Sequence, residues 1–408
     1  MTIKNILVIT PSLPYPITGA EQSDRANGLK QLARIFGEVR VITKITAWQT
    51  KEMIDEASEK LDVIFIPVTY KYSNKELSLA LGLKKIFLKI KNPLFLDGAA
   101  MEYGEPEIIR VFREEIKKNK PDLIWCDYTY LWPLYKIAVQ AGVPVFTRSI
   151  NFEPIHFLQE EGLSPLNLVR SVSKLVSEYI VVKKSFAILA ITPKEQKIYE
   201  KMGGNYVSNL PLRGLPELLA KSHFPRVKNK LEVVFMGSTY NVAHNRKALG
   251  FILKKIAPYF AKHHPEDFSF NITGGKIPLS MRKKAGSNVI FHGYVDNLNN
   301  FLTVMDVAVV PSFYGAGMQQ KIFEPLVRGI PTITTKKGLA DYPFIDGKDI
   351  FLAETPEDFA RQLLRLKDYY LRKKISESCL NKAKEIFSQD NLDRTVLSVA
   401  NKVFSGSN

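Results

Sequence analysis

The stretch GAGMQQKIFEPLVRGIPTITT, residues 315–335, sets one base and one acid, Lys321 and Glu324, three residues apart in a tightly punctuated segment. Gly315 and Gly317 permit positive φ or a close backbone approach. A short helix beginning near Met318 would turn its positive end toward the same loop. Gly329 and Pro331 then break the helix before a β-branched run. A second segment of this kind is GSTYNVAHNRKALG, residues 237–250, in which Gly237 and Ser238 end a strand and Asn245, Arg246 and Lys247 open a helix. Small residues there can bring backbone to a phosphate while a basic side chain neutralises it. A third is SLPYPITGAEQSDR after the first strand, where Gly19 precedes a helix that Glu21 or Ser23 could cap. Each is a strand, a flexible loop and a helix N-terminus, the arrangement that binds anions and phosphates. None reads G-x-G-x-x-G, so a dinucleotide fingerprint is absent. The alternative for Arg246, Lys247 and Glu324 is an ordinary solvated place on a helix.

The elements that must position these groups alternate regularly. NILVITP, VRVITK, LDVIFIPV, DLIWCD, VPVFTR, AILAIT and YVSNLP read as strands, with helical stretches such as GLKQLARIFG and LYKIAVQAG between them. Residues 211–229 lose the period and gain proline, glycine and lysine, a linker signal. A second series follows: LEVVFMG, FSFNITGG, NVIFHG, VAVVP, PTITT and DIFLAE, then helical stretches over 356–388 and 392–404. This predicts an α/β protein of two doubly wound domains. Expected boundaries are 1–212, a linker at 213–229, 230–375, and C-terminal helices at 376–408 packing back on the first domain. In such sheets ligands bind beyond the carboxyl ends of the strands.

At 408 residues the chain is long for a single core, and a hydrophobic content of 45% places it among globular proteins. The opening MTIKNILVITPSLPYP lacks a signal-peptide pattern, and no apolar run reaches spanning length. Two cysteines, Cys126 and Cys379, support neither a disulfide framework nor a metal cluster, so a cytoplasmic setting without a metal is expected. The net charge of +16 points to an anionic partner. Its lysines are spread along the chain and no nucleic-acid signature accompanies them, so no nucleic-acid partner is expected. LGLKKIFLKIKNP, residues 81–93, interleaves apolar residues with Lys84, Lys85, Lys89 and Lys91. That is either a basic amphipathic helix on the inner face of an anionic membrane or a surface helix with a buried stripe.

The ordered series Gly237-Ser238, Gly274-Gly275, His292-Gly293-Tyr294-Val295, Asp306, Pro311-Ser312, Gly315 to Gly329 and Thr334-Thr335 resembles the donor half of GT-B glycosyltransferases, particularly retaining family 4 (group 1) enzymes. In the first half PYPITG, Arg25, the strand ending at Asp127, TRSINFE and AILAITPKE extend the resemblance to nearly the whole chain. It implies two Rossmann-like domains facing across a cleft. It also implies a nucleotide-sugar substrate (UDP-, GDP- or ADP-linked), no tightly bound cofactor, and a glycan or lipid-linked acceptor.

By the same resemblance Glu324 is the second acid of an E-x7-E motif and hydrogen-bonds the donor ribose. Ala316 stands where the first acid belongs, as in a variant with a single glutamate. The backbone of Gly315, Ala316, Gly317 and Met318 would hold sugar and diphosphate, with Gln320 beside it and Lys321 meeting the diphosphate charge; Arg246 and Lys247 are the alternatives. Gly237, Ser238, Gly274, Tyr294 and Val295 would complete the donor site. Asp127 stands where relatives carry a histidine and would either orient an acceptor hydroxyl or cap the next helix. Arg148, Asn151 and Glu153 would line the acceptor side, with Ile150 replacing a family histidine. The implied reaction is front-face transfer with retention, in cell-surface polysaccharide, capsule or lipopolysaccharide synthesis. The departing diphosphate takes the acceptor proton there, and positioning and electrostatics do the catalytic work. Two other functions fit the layout less well. A nucleotide-sugar epimerase would be expected to bring more histidines than the six present. A non-catalytic binding subunit would account for the missing acid and histidine.

Overall fold

The β-branched and apolar runs become thirteen strands in a computed structural model that describes residues 3–17, 19–69, 79–219 and 225–405. Seven form one parallel sheet: β1 (Asn5–Thr10), β2 (Glu38–Ile45), β3 (Ile64–Thr69), β4 (Leu123–Cys126), β5 (Val145–Ser149), β6 (Ala187–Ala190) and β7 (Tyr206–Asn209). Their order is β3-β2-β1-β4-β5-β6-β7. Six form a second: β8 (Leu231–Thr239), β9 (Phe268–Gly275), β10 (Val289–Gly293), β11 (Val307–Val310), β12 (Thr332–Thr334) and β13 (Phe351–Leu352). Their order is β10-β9-β8-β11-β12-β13. The expected pair of doubly wound α/β domains is therefore present.

The chain divides into unit 1, residues up to Gly214 and from Leu392 on, and unit 2, Leu215–Asn391. In unit 1 alternate residues of the central strands feed two cores. Ile6, Val8, Trp125 and Phe146 meet Leu29 and Leu32 of the helix Ala20–Phe36 on one face. Leu7, Ile9, Ile124 and Cys126 meet Phe112, Tyr135 and Val181 on the other. Both faces are covered because parallel sheets carry their crossover helices on each side. Each fully buried aliphatic or aromatic side chain contributes about 1.5–3 kcal/mol. At the edge of the second sheet β10 alternates instead of being buried throughout, since only one of its faces is covered.

Two boundaries differ from the sequence expectation. Arg213, placed by sequence in a linker, is buried in unit 1, and the helix Leu215–Leu219 packs on the helices Gln320–Val327 and Tyr369–Phe387 of unit 2. Residues 220–224 of that expected linker lie outside the described residues. The C-terminal return starts at Leu392 rather than 376. The helix Tyr369–Phe387 stays with unit 2 because Ile375, Cys379, Leu380, Ala383 and Phe387 form its buried face. Leu380 lies so close to Gly329 (φ +78°) that a Cβ there would sit 2.7 Å from its Cγ. From Leu392 onward, Leu392, Val396, Val399 and Ala400 complete the first core, and Asp393 pairs with Arg34 at 2.8 Å.

Candidate functional site

Strand order reverses between β8 and β11 in unit 2, so the loops after those two strands flank a topological switch point. After β11 the segment Pro311–Gln319 is tied down by its own polar groups. The Ser312 hydroxyl donates to Gln319 Oε1 at 2.8 Å, Gln319 Nε2 donates to the carbonyl of Tyr314 at 3.2 Å, and Thr335 Oγ1 donates to the carbonyl of Ser312 at 2.7 Å. Gly315 and Gly317 adopt φ of +100° and +66°, which other residues rarely reach. Ala316 and Gly317 are half-buried, and Met318 is buried.

The helix Gln320–Val327 follows with no side chain capping its N-terminus, which leaves its first N–H groups facing the loop. Lys321, in its first turn, donates to Asn245 Oδ1 at 2.8 Å, and Asn245 Nδ2 donates to the carbonyl of Thr239 at 2.9 Å. The ammonium thereby links the two switch-point loops within unit 2. The other candidate cations are placed differently. Arg246 donates to the carbonyls of Tyr240 and Asn241, bracing its own loop. Lys247 lies 3.7 Å from the centre of the Tyr314 ring.

Glu324 is buried rather than solvated. Its Oε1 accepts from Arg328 Nη2 at 2.7 Å, its Oε2 accepts from Gln320 Nε2 at 2.7 Å, and Arg328 Nη2 also reaches Asn299 Oδ1 at 2.6 Å. Gln320 thus contacts Glu324. A carboxylate has about four acceptor positions, and these bonds leave one on Oε2.

Two glycines serve the fold itself. A Cβ on Gly274 (φ +111°) would fall 2.3 Å from the Gly237 carbonyl oxygen, and one on Gly237 would fall 2.6 Å from the Tyr240 hydroxyl. Tyr240 is buried, donates to the carbonyl of Thr273 at 2.9 Å and packs against both glycines. The need for glycine at both positions is therefore close backbone packing between β8 and β9. Ser238 and Tyr294 are exposed and Val295 half-buried, at or beyond the same ends of parallel strands. Asp306 is structural: buried, it accepts from Lys228 Nζ at 2.9 Å and from the Glu232 amide at 2.8 Å.

Unit 1 has its own switch point between β1 and β4. A cluster of buried charges occupies it. The Arg213 amide and Nη2 donate to the two oxygens of Asp24 at 2.7 and 2.8 Å, and Nη2 also donates to Asp127 Oδ1 at 3.0 Å. Arg25 Nε lies 3.6 Å from Asp127 Oδ2, and its other nitrogens reach Glu21 and Ser12. Burial opposes ionisation of Asp24, but Arg213 and Arg148 outweigh it and hold the carboxyl down at about 2. Gly28 is glycine because a Cβ would lie 2.0 Å from the Arg213 guanidinium.

Several first-domain expectations change accordingly. Asp127 neither caps the following 3-10 helix, whose N-cap is Tyr128, nor keeps an open carboxylate; it balances Arg213 and Arg25. Arg148 is wholly buried, donating to the carbonyls of Leu189, Leu210 and Pro211, and lines no surface. Gly19 is the N-cap of Ala20–Phe36 with extended φ and no side-chain cap, so neither Glu21 nor Ser23 caps that helix. Asn151 and Glu153 remain half-buried after β5. Asn151 reaches the Tyr128 hydroxyl at 3.4 Å, and Glu153 lies 3.4 Å from Lys174.

Beneath them sits Glu178, which the sequence reading did not single out. It accepts from Thr129 Oγ1 at 2.9 Å, the Glu153 amide at 3.2 Å and the Tyr199 hydroxyl at 3.0 Å. Burial, with Glu153 nearby, raises its carboxyl to about 8. Gln319, Arg328, Asp24 and Arg213 were likewise missed, and no local motif marks any of them. Among the described residues no three His, Cys, Asp or Glu side chains are grouped to hold a metal ion.

Comparison with known proteins places this geometry. Residues 230–368 match the family model described as "Glycosyl transferases group 1". No curated protein matches the chain. Among solved structures it is similar to sucrose-phosphate synthase from Thermosynechococcus elongatus (15% identity, TM-score 0.73, covering 99% of this chain and 100% of that one). It is similar to TarM, a protein of S. aureus (13%, 0.68, 98% and 99%). HepE of Anabaena, solved with UDP and glucose, is a third (13%, 0.66, 98% and 100%). Residues 230–368 thus match the group 1 glycosyl transferase model, in a chain that has the two-domain GT-B fold over its length.

Proposed function

We propose that the protein transfers a sugar from a nucleoside-diphosphate donor, held by unit 2, to a hydroxyl of a glycan or lipid-linked acceptor, held by unit 1. The observation that carries this reading is the unit 2 switch point. There a glycine loop, an uncapped helix N-terminus and the Lys321 ammonium converge in a domain that matches the group 1 model. Such a site stabilises charge that develops on a leaving diphosphate. The acceptor oxygen bonds to the anomeric carbon as the bond to the diphosphate oxygen breaks, and the acceptor proton passes to that diphosphate. Retention follows if both events occur on one face of the sugar. Glu324, steadied by Arg328, takes a ribose hydroxyl through the remaining position on Oε2, and Tyr294 and Val295 flank the base.

Uridine is the favoured base, because HepE and a TarM complex were solved with UDP. Asn151 and Glu153 are the acceptor-side groups, and the product class is cell-surface polysaccharide, capsule or lipopolysaccharide. Incubation with UDP-, GDP- and ADP-sugars, with and without acceptor glycans, tests the reading through release of free nucleoside diphosphate. Acceptor-stimulated release from one donor is the expected result. Tight nucleotide binding without turnover of any donor would instead favour a non-catalytic subunit, and interconversion of the donor sugar an epimerase.

A further inference from the structure

Two helices of unit 1 turn apolar side chains to solvent. In Leu79–Lys91 the residues Leu83, Ile86, Phe87 and Ile90 are exposed, Ile90 by 74%. Their spacing of three, four and seven makes one stripe. The alternative of a buried stripe with solvated lysines does not hold for them. In Pro165–Lys184 the residues Leu168, Val169, Val172, Leu175, Val176 and Tyr179 are exposed, while Ser173, Ser177, Glu178 and Val181 face inward. The helices are linked through one turn. The 3-10 turn Pro93–Leu96 that continues the first packs on the second, where Ser173 Oγ donates to the Leu94 carbonyl at 2.9 Å and Lys174 pairs with Asp97 at 3.0 Å.

Acids lie nearby, with Asp97 and Glu153 paired to Lys174 and Glu160 and Glu161 on the adjoining helix, but the charge exposed on the two helices themselves has one sign. Leu79–Lys91 contains no acid and carries Lys85, Lys89 and Lys91; the side chain of Lys84 lies outside the described residues. The only acid in Pro165–Lys184 is the buried Glu178, and Lys183 and Lys184 end that helix exposed. A second copy of the chain docked face to face would bring these lysines together. A lipid surface answers both features at once, with acyl chains for the stripes and anionic headgroups for the ammonium groups.

We propose that this face of unit 1, formed by Leu79–Lys91 and Pro165–Lys184 together, seats the protein on an anionic bilayer. The inference names a partner for the acceptor side of the proposed function. Its test uses no donor or acceptor, so its failure would leave the transferase reading standing. The full chain is floated with vesicles of phosphatidylcholine, and with vesicles in which roughly one-third is phosphatidylglycerol. Binding to the second and not the first is expected, weakening as salt rises. Lys85→Glu with Lys89→Glu should weaken binding roughly thirtyfold or more. Val172→Asp with Val176→Asp should weaken it about tenfold or more. Val172 and Val176 are exposed and Lys85 and Lys89 half-buried, and unchanged circular dichroism and thermal midpoint would show that the variants fold. The proposal is overturned if the wild type ignores anionic vesicles, if it binds neutral ones equally, or if the folded variants bind like the wild type. It is overturned equally if the substitutions abolish a dimer and leave lipid binding untouched.

Discussion

At the switch point between β1 and β4, unit 1 buries Arg25, Arg148 and Arg213 with Asp24 and Asp127. After β8 and β11, unit 2 instead presents a glycine loop, Ser312, Asn245 and Lys321. The two positions are topologically equivalent, each lying where strand order reverses. In unit 1 the charges neutralise one another and fasten the start of the chain to Arg213, so the site is architectural. In unit 2 the donors are backbone, amide and ammonium groups, as a diphosphate requires. A doubly wound sheet provides the same crevice twice, and the chemistry of the loop residues decides what each becomes.

The sharpest way to break this contrast is to remove a charge from each side. Arg213→Met leaves Asp24 and Asp127 buried without their shared partner and should destabilise unit 1 by about 3–5 kcal/mol, read from denaturant unfolding. Donor binding by unit 2 in the folded fraction should not change. A loss near zero would mean that the cluster is not what fastens unit 1. Lys321→Met should do the opposite, lowering turnover about a hundredfold or more with little change in thermal midpoint. If turnover persisted undiminished, the diphosphate charge would have to be met by another residue, with Lys247 next to be tested.

The next effect in size is pH dependence, in which two buried acids of unit 1 act on different ranges. The Asp24 carboxyl titrates at about 2 when folded, below its ordinary value of 3.8. Its contribution, on the order of 2 kcal/mol, is therefore present above pH 4 and lost as pH falls toward 2. For Glu178 the shift is upward, from 4.5 to about 8. The folded state keeps that proton while the unfolded chain releases it, so stability falls as pH rises from about 4.5 to about 8. Urea titrations across this range should show the decline, and Glu178→Gln should flatten it. An unchanged slope in that variant would remove Glu178 from the explanation.

The smallest effect concerns the donor side. Glu324→Ala removes the proposed ribose contact and takes from buried Arg328 its carboxylate partner, so donor KM should rise about tenfold while kcat changes less. Equal donor affinity in the variant would restrict Glu324 to holding Arg328.

The sheet was legible because parallel strands buried on both faces write themselves as short apolar runs, and the central strands are largely buried along those runs, while the edge strands β3 and β10 expose about half of their residues. The loops of unit 2 were legible for a similar reason, since Gly315, Gly317, Lys321 and Glu324 fall within ten residues of one another. The unit 1 cluster was not. Asp24 and Arg213 are 189 residues apart, and Arg213 lies in a stretch whose proline and glycine mimic a linker. Asp127 and Arg148 looked like surface groups because type and position do not reveal burial. The glycines at 237 and 274 were readable as necessary, but their reason, each backbone crowding the other and Tyr240, exists only in three dimensions. The outward stripe of Pro165–Lys184 escaped because an apolar period on a helix ordinarily marks the buried side.

Calorimetric titration of UDP into the wild-type chain, Lys321→Met and Glu178→Gln tests the central claim most directly. The account predicts that UDP binds the wild type and Glu178→Gln alike and binds Lys321→Met at least tenfold more weakly. Equal affinity in all three, or no binding of UDP, GDP or ADP to the wild type, would contradict the assignment of the unit 2 switch point as the donor site.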